Sequence, residues 1–350
     1  MTRGLPGVEH YRARLSDADA ERDFDRAERT GTRLVVPGDL EWPSQLQDLA
    51  GSVGARGPAA PPLALWVRGP GNLRFAALRS VALVGSRAAT AYGTHVAAEL
   101  GAGLADAGWA VVSGGAYGVD AAAHRGVLAG SGLTVAVLAC GVDVACPRGH
   151  DALFGRIAPE GLLVSELPPG CHPTRARFLD RNRLIPALTR GTVLVEAALR
   201  SAARNTAGWA RSLSREVMAV PGPATSVMSA GCHHQIRELG AVLVTHAGAI
   251  VELVGSLTDG LAQPPPAAVK ARPEDLLDPV ALRVLEAVPV RRPSLPAKLA
   301  SVSGLSLDLV LQWIRQLELL GLVEGASGGY RLAETPGRSD DLYPLPRGGP

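Results

Sequence analysis

Short runs of aliphatic and β-branched residues alternate with amphipathic segments through the middle of the chain. The runs fall at 81–84, 110–113, 135–138, 162–165, 192–195, 217–220 and 241–244. Continuous apolar runs of about four residues are typical of strands that are buried on both faces. The intervening segments have helical periodicity, for example 91–107, which ends at Gly108. Seven alternations of strand and helix predict an α/β fold, with a mostly parallel sheet and helices on both faces.

The same pattern divides the chain into a main domain and smaller regions. Residues 1–66 are helical and charged at first and then turn-rich, and residues 67–257 form the predicted main domain. Residues 258–275 include a run of three prolines, so we expect an extended linker. Residues 276–333 predict a small second domain. Residues 334–350 are rich in Pro and Gly, and we expect them to be disordered.

The small second domain has the pattern of three helices followed by a hairpin. Asp278-Pro279 is typical of a helix start, and Gly321 follows the third helix. Four apolar residues at helical spacing form one face of that third helix: Leu307, Val310, Ile314 and Leu317. This order predicts a winged helix-turn-helix domain. Its other helix face is mixed in charge, which favours a docking or accessory module over a reader of duplex DNA: Asp308, Gln312, Arg315 and Glu318.

Composition excludes several classes of protein. Of 350 residues, 47% are hydrophobic and 19% are charged, which excludes a disordered chain. The net charge is only +2, so the overall charge does not indicate nucleic acid as a ligand. The four cysteines form no C-x-x-C pair, and we find neither a secretory signal nor an apolar run of membrane-spanning length. We therefore expect a soluble, cytoplasmic protein.

Two glycine-containing loops follow the first two predicted strands. The first loop contains Gly85, Ser86 and Arg87, and the second contains Ser113, Gly114 and Gly115. Each loop precedes a predicted helix, so together they could form a floor that binds phosphate groups. The alternatives are a turn with a solvent-facing arginine, and glycines that only allow close packing. The G-x-G-x-x-G pattern is absent, which disfavours NAD, and we expect no cofactor.

A basic segment at 175–183 carries a net charge of +3 and one aromatic residue. Guanidinium groups beside an aromatic ring suit single-stranded nucleic acid, because they contact the phosphates and a base. The alternative is a solvated helix face with the phenylalanine in the core. The candidate binding residues here are Phe178, Arg181, Asn182 and Arg183.

The sequence gives little support for catalysis or for metal binding. His233 and His234 have no partners at zinc spacing, and we expect His124 to be a packed residue rather than a base. Glu196 ends a predicted strand and could orient an arginine, but no nucleophile accompanies it. We therefore expect no catalytic residues and no metal.

Taken together, the motifs resemble those of the DNA-processing protein A (DprA/Smf) family. The motifs that carry the resemblance are Val-Gly-Ser-Arg at 84–87, Ser-Gly-Gly-Ala-Tyr-Gly-Val-Asp at 113–120, Ala-Cys-Gly-Val-Asp at 139–143, Ser-Glu at 165–166, Phe-Leu-Asp-Arg-Asn-Arg at 178–183, Val-Glu-Ala-Ala at 195–198 and Val-Pro-Gly-Pro at 220–223. The resemblance covers about residues 33 to 257. It implies an extended Rossmann-like domain that binds single-stranded DNA, forms a homodimer and loads the RecA recombinase, without catalysis, during natural transformation or recombination. It also implies that the two glycine loops and 181–183 line the phosphate-binding groove.

The sequence departs from the family pattern at three places. Tyr117 stands where the family usually has a basic residue, so stacking could replace a phosphate contact. The segment 201–206 differs from the family pattern and gains Arg204, and the N-terminal region is short. A different class, a nucleotide-binding or nucleotide-hydrolysing Rossmann-like enzyme, is the alternative, and it would need Glu196 as its catalytic carboxylate.

Overall fold

The computed structural model describes residues 19–54, 57–255 and 277–333. The predicted linker 258–275 and the predicted tail 334–350 lie outside these ranges. The chain divides into two compact units, Met1–Pro265 and Pro266–Pro350. Within the described ranges, no helix is both long enough and apolar enough to span a bilayer.

The first unit is built on a nine-stranded sheet. Its strands are β1 Thr32–Val35, β4 Leu65–Arg68, β5 Ser80–Val84, β6 Ala110–Ser113, β7 Thr134–Val137, β8 Leu162–Ser165, β9 Gly191–Leu194, β10 Glu216–Ala219 and β11 Val242–Leu243. Their order in the sheet is β1-β4-β8-β7-β6-β5-β9-β10-β11. Strands β5 to β11 pair in parallel, whereas β4 pairs antiparallel with both β1 and β8. A separate small hairpin pairs β2 Val53–Gly54 with β3 Gly57–Pro58.

Helices cover both faces of the sheet. Alternate residues of the central strands therefore pack in two different hydrophobic cores, one on each face. Ala82 and Val84 pack with one set of helices, whereas Val81 and Leu83 pack with another. The helices of the first unit are α1 Ala20–Thr30, α2 Leu73–Leu78, α3 Ala91–Asp106, α4 Val119–Ala129, α5 Asp151–Glu160, α6 Arg175–Arg181, α7 Leu184–Ala187, α8 Ala203–Ser212, α9 Ala230–Leu239 and α10 Ala247–Val254. The predicted α/β fold with a mostly parallel sheet is confirmed.

The seven predicted strands all form. β6 and β8 have the predicted bounds, and the other five differ from the prediction by one residue at one or both ends. Strands β1 and β4 were not predicted. Strand β1, TRLV, is only partly apolar. Strand β4, LWVR, lies in an apolar run, but this run directly follows the Pro61-Pro62 pair and was assigned to the turn-rich region. Strand β4 also crosses the predicted boundary at residue 66, and the domain boundaries stay predictions.

The second unit contains three helices and a hairpin in the predicted order. They are α11 Pro279–Ala287, α12 Pro296–Ser303, α13 Leu307–Leu319, β12 Val323–Ala326 and β13 Gly329–Leu332. Val310, Ile314 and Leu317 are fully buried, whereas Leu307 is 44% exposed, so the predicted apolar face is wrong at its first residue. Leu307 begins the helix, where no packed turn precedes it. The assignment as a winged helix-turn-helix domain stays a prediction.

Candidate nucleic-acid interface

The candidate residues collect at the carboxyl edge of the parallel strands. A cleft of about 840 Å³ opens there between the loops that follow β5, β6 and β9 and the helix α6. Of the ten sequence-predicted residues, those that line the cleft are Gly85, Ser86, Arg87, Phe178, Arg181 and Asn182. The other four, Ser113, Gly114, Gly115 and Arg183, do not line it.

 Six of the ten predicted residues thus face one common cleft, and the structure brings these six together.

The first loop is held against β9 by its backbone. The Ser86 N–H donates to the Glu196 carbonyl oxygen at 2.7 Å. A Cβ atom at Gly85 would lie 2.8 Å from the same oxygen, so only glycine fits this close approach. The Arg87 side chain is exposed, and its guanidinium carbon lies 5.1 Å from the centre of the Phe178 ring. Arg87 is therefore a cation on the cleft surface that packs on an aromatic ring.

Glu196 does not orient an arginine, so that expectation is wrong. Its side chain is buried, and its two carboxylate oxygens accept from the Thr90 N–H at 2.8 Å and from the Thr90 hydroxyl at 2.7 Å. The Thr90 hydroxyl in turn accepts from the Gly93 N–H. Glu196 thus fixes the N-terminus of α3, where a negative charge is favourable.

The second loop is not open to phosphate in the way that the sequence suggested. The Asp120 carboxylate, on the first turn of α4, accepts from the N–H groups of Gly114 and Ala116, both at 3.2 Å. The Ser113 hydroxyl is buried and donates to the Leu83 carbonyl at 2.6 Å. The N–H groups of Gly114 and Ala116 are therefore not available to the predicted phosphate-binding floor, because an internal carboxylate occupies the anion position.

Gly115 has a structural reason to be glycine. Its φ is +69°, and a Cβ atom there would lie 2.8 Å from the Phe154 ring. Its carbonyl oxygen lies 3.0 Å from Nδ1 of the buried His150. The second loop therefore packs against α5 and is hydrogen-bonded to α4.

Arg181 is buried beneath the cleft and binds protein groups. Its Nη1 donates to the carbonyl oxygens of Gly114, at 2.6 Å, and of Val137. Its Nε donates to the Asn182 side-chain oxygen at 3.2 Å. Burial lowers the pKa of Arg181, and the nearby Asp120 charge opposes that shift. Burial likewise raises the pKa of Asp120, against the effect of Arg181. Arg181 therefore joins α6 to the second loop and is not placed as a direct phosphate ligand.

Arg183 is also committed to protein groups. It forms a two-bond ion pair with Glu166, with both N–O distances 2.6 Å, and donates to the Ala60 carbonyl at 3.2 Å. Only 14% of its side chain is exposed. The adjacent Asn182 is buried, and its Nδ2 lies 3.4 Å from the Asn205 side-chain oxygen. The expected phosphate contact of Arg183 would have to displace Glu166, so this residue supports the cleft floor instead.

Sequence reasoning missed two exposed arginines at the cleft, Arg175 and Arg200. Within the described ranges, neither side chain has an ion pair. Arg175 begins α6, in which the Thr174 hydroxyl accepts from the Arg177 N–H at 3.3 Å. Arg175 belongs to the basic segment, so the sequence did carry a signal for it. Arg200 is a single charge in a loop, and only the fold brings it to the cleft.

The structure gives His124 a packed position. It is fully buried on α4, and its Nδ1 lies 2.7 Å from the Thr134 hydroxyl. The same hydroxyl lies 3.2 Å from the Val111 carbonyl oxygen, so His124 and Thr134 belong to one buried hydrogen-bond network. Burial, with the charges of His150 and Arg181, lowers the pKa of His124 to about 3. Among the residues that the structure describes, no three His, Cys, Asp or Glu side chains cluster as metal ligands would.

Comparison with known proteins gives consistent matches over most of the chain. The sequence profile of a family described as DNA recombination-mediator protein A matches residues 33–255. A putative DNA processing protein DprA from Mycobacterium tuberculosis is 49% identical over 340 residues, which cover 95% of this chain and 86% of the relative. The protein Smf from Escherichia coli is 36% identical over 253 residues, which cover 71% and 67%.

Two solved structures are also similar to this chain. DNA processing protein A from Streptococcus pneumoniae has a TM-score of 0.62 and 30% identity, with 72% of this chain and 84% of that chain covered. DNA processing protein A from Helicobacter pylori, described with its mode of single-stranded DNA binding, has a TM-score of 0.54 and 25% identity. That match covers 63% of this chain and 94% of the other.

Proposed function

The chain belongs to the DNA recombination-mediator protein A family, and we propose that it binds single-stranded DNA in the cleft at the carboxyl edge of the sheet. One observation carries the proposal. Three exposed arginines, Arg87, Arg175 and Arg200, line a cleft that also contains the half-buried ring of Phe178. The Helicobacter pylori relative, which is described as binding single-stranded DNA, supports the choice of ligand.

The charges around the cleft favour a polyanion. Within the described ranges, Arg87, Arg175 and Arg200 have no carboxylate partner, so a bound strand can neutralise them without breaking an ion pair. The carboxylate on the cleft wall, Asp120, already accepts two backbone hydrogen bonds and faces the charge of Arg181. Phosphates therefore meet three available guanidinium groups, which bind them by charge-assisted hydrogen bonds.

The cleft also offers a surface for a base. The guanidinium carbon of Arg87 lies 5.1 Å from the centre of the Phe178 ring, so the guanidinium group and the ring are neighbours on the cleft surface. Bases stack on aromatic rings and on guanidinium planes without regard to sequence. A cleft of about 840 Å³ admits part of a single strand. A duplex keeps its bases paired inside, so it cannot use this surface.

The wider role follows from the family, and we propose it as such. A protein of this family would protect single-stranded DNA and load the RecA recombinase onto it during natural transformation or recombination. We further propose that the protein acts in the cytoplasm as a homodimer, without catalysis and without a cofactor. The second unit would be the winged helix-turn-helix module, and its exposed α13 residues of mixed charge favour an accessory or docking role: Asp308, Gln312, Arg315 and Glu318.

The alternative, a nucleotide-hydrolysing enzyme, gains no support. It needs Glu196 as a carboxylate available to substrate, and both oxygens of Glu196 bind Thr90. Release of free base from a nucleotide by the pure protein would revive it.

Salt-dependent binding tests the proposal. We would measure the fluorescence anisotropy of labelled oligo-dT over a salt series, with unlabelled duplex as competitor, for the wild type and for Arg87→Ala, Arg175→Ala and Arg200→Ala. Each lost phosphate contact should weaken binding and reduce the slope of log K against log salt by about 0.7. Arg74→Ala is the matched control, because Arg74 is exposed on α2, which precedes β5 and so lies at the opposite edge of the sheet.

Two results would contradict the proposal. One is wild-type binding that duplex competes away. The other is the same affinity and slope for all three cleft variants as for Arg74→Ala, which would place the strand elsewhere.

A further inference from the structure

Tyr117 is an exposed aromatic residue directly beside the proposed cleft. It follows Ala116, which lines the cleft, and 48% of its surface is exposed. The next residue, Gly118, has a φ of +75°, and a Cβ atom there would overlap the carbonyl oxygens of Ser86 and Arg87. Tyr117 is therefore held at the point where the two loops of the cleft meet.

The ring of Tyr117 is supported from within the protein. It makes an edge-type contact with His150, with 4.6 Å between ring centres and 70° between the planes. His150 is 3% exposed and is fixed by its contact with the Gly115 carbonyl. A Cβ atom at Gly149 would lie 2.7 Å from the Tyr117 hydroxyl oxygen, so the chain also packs against the far end of the ring. An exposed ring with a rigid support loses little conformational entropy when a ligand packs on it.

The segment that packs against Tyr117 has no net charge. Arg148 and Asp151 are both exposed, on either side of the Gly149-His150 pair, and their charges are opposite. This segment therefore offers a nucleic acid the supported aromatic ring and no excess positive charge.

We propose that Tyr117 is a stacking platform for one base of the single strand where the strand leaves the cleft at the β6–α4 loop. The inference rests on the proposed function, since it extends the same binding surface. It assigns Tyr117 to a base and not to a phosphate.

Photocrosslinking and affinity together test this assignment. Oligo-dT carrying one 5-iodo-deoxyuridine, moved along the strand position by position, is irradiated with the full chain, and the crosslinked peptide is identified by mass spectrometry. We expect a crosslink at Tyr117 from one position. Tyr117→Ala should weaken oligo-dT binding about tenfold, which corresponds to the loss of one stacked base, and leave the salt slope unchanged. Tyr117→Phe should bind as the wild type does.

An abasic site adds a direct check. Placed at the crosslinking position, it should weaken wild-type binding about as much as Tyr117→Ala does, with no further loss in the variant. Tyr117→Lys should instead raise the salt slope by about 0.7, since it exchanges a base contact for a phosphate contact. Phe75→Ala is the matched control, because Phe75 is 70% exposed on α2.

The outcomes separate this inference from the proposed function. If Arg87→Ala weakens binding but Tyr117→Ala binds as the wild type does, the stacking platform is overturned and the cleft stands. A lower salt slope in Tyr117→Ala, or crosslinks only at other residues, also overturns it. If the wild type fails to bind oligo-dT, the proposed function itself fails.

Discussion

The buried charges beneath the cleft predict a loss of stability for a small change, Asp120→Asn. The Asp120 carboxylate accepts from the Gly114 and Ala116 N–H groups, and its charge acts on the buried guanidinium of Arg181. The asparagine amide keeps an oxygen for those two N–H groups. The substitution therefore removes the charge and little else, and it leaves Arg181 without its nearest counter-charge.

The expected magnitude follows from that geometry. Removal of one partner from a directly paired buried charge costs about 3–5 kcal/mol. Asp120 and Arg181 do not form an ion-pair contact, and burial opposes the charge of both groups, so the loss should be smaller. We expect about 1.5 kcal/mol, because two hydrogen bonds to a charged acceptor become hydrogen bonds to a neutral one. With an m value of about 2 kcal/mol per molar urea, the unfolding midpoint should fall by about 0.75 M.

Urea unfolding followed by tryptophan fluorescence measures this change. Four of the five tryptophans lie in the first unit and Trp313 lies in the second, so a Trp313→Phe background reports on the first unit alone. Asp106→Asn is the control, because Asp106 is exposed in the last turn of α3 and should change stability by no more than about 0.5 kcal/mol. Asp120→Asn should also weaken oligo-dT binding without a change in salt slope, since Asp120 supports the loop and touches no phosphate.

A loss of less than about 0.5 kcal/mol would refute the reasoning, since it would mean that the charge of Asp120 does not strengthen its hydrogen bonds to the second loop. A lower salt slope in Asp120→Asn would refute the structural role in another way, because it would show that a phosphate contact had been lost.

Two further predictions concern the same region. The folded-state pKa of His124 is about 3 against 6.5 for the ordinary group, so the unfolded chain binds an extra proton between these values. Stability from this residue is therefore complete above pH 6.5 and falls with pH by up to about 1.4 kcal/mol per unit, and His124→Gln should flatten that decline in urea titrations from pH 7 to pH 4. An equally steep decline in the variant would exclude His124 as its source. Gly118→Ala should lower the unfolding free energy by more than about 1 kcal/mol, because φ is +75° and the methyl group overlaps the Ser86 carbonyl. Gly155→Ala, on α5 with open space around it, should not destabilise the protein, and equal thermal shifts for the two variants would contradict the strain at Gly118.

The hydrophobic pattern was sufficient for most of the sheet. All seven predicted strands form, because a strand buried on both faces needs an unbroken apolar run, and such a run is local in the sequence. Strands β1 and β4 escaped prediction, because the first, TRLV, is only partly apolar and both gain their stability from antiparallel pairing with distant segments.

The candidate binding residues, like the strands, were predicted only in part. Motif position correctly brought Gly85, Ser86, Arg87 and Phe178 to one cleft, since the loops at the carboxyl ends of parallel strands share an edge. The sequence could not show that Arg183 is paired with Glu166, 17 residues away in the chain. From the basic segment, the prediction chose the buried Arg181 and the paired Arg183 and missed the exposed Arg175, because charge type and spacing carry no information about burial.

The sequence by itself thus determined the fold class, the order of the strands along the chain and the family, all of which depend on local pattern. Only the tertiary structure decided which charges are available to a ligand. Asp120 fills the anion position of the second loop and Arg181 is held beneath it, whereas Arg87, Arg175 and Arg200 are exposed. The physical reason is that the state of a charged group depends on its solvation and on its nearest partners, and both are set by segments that meet only in the folded chain.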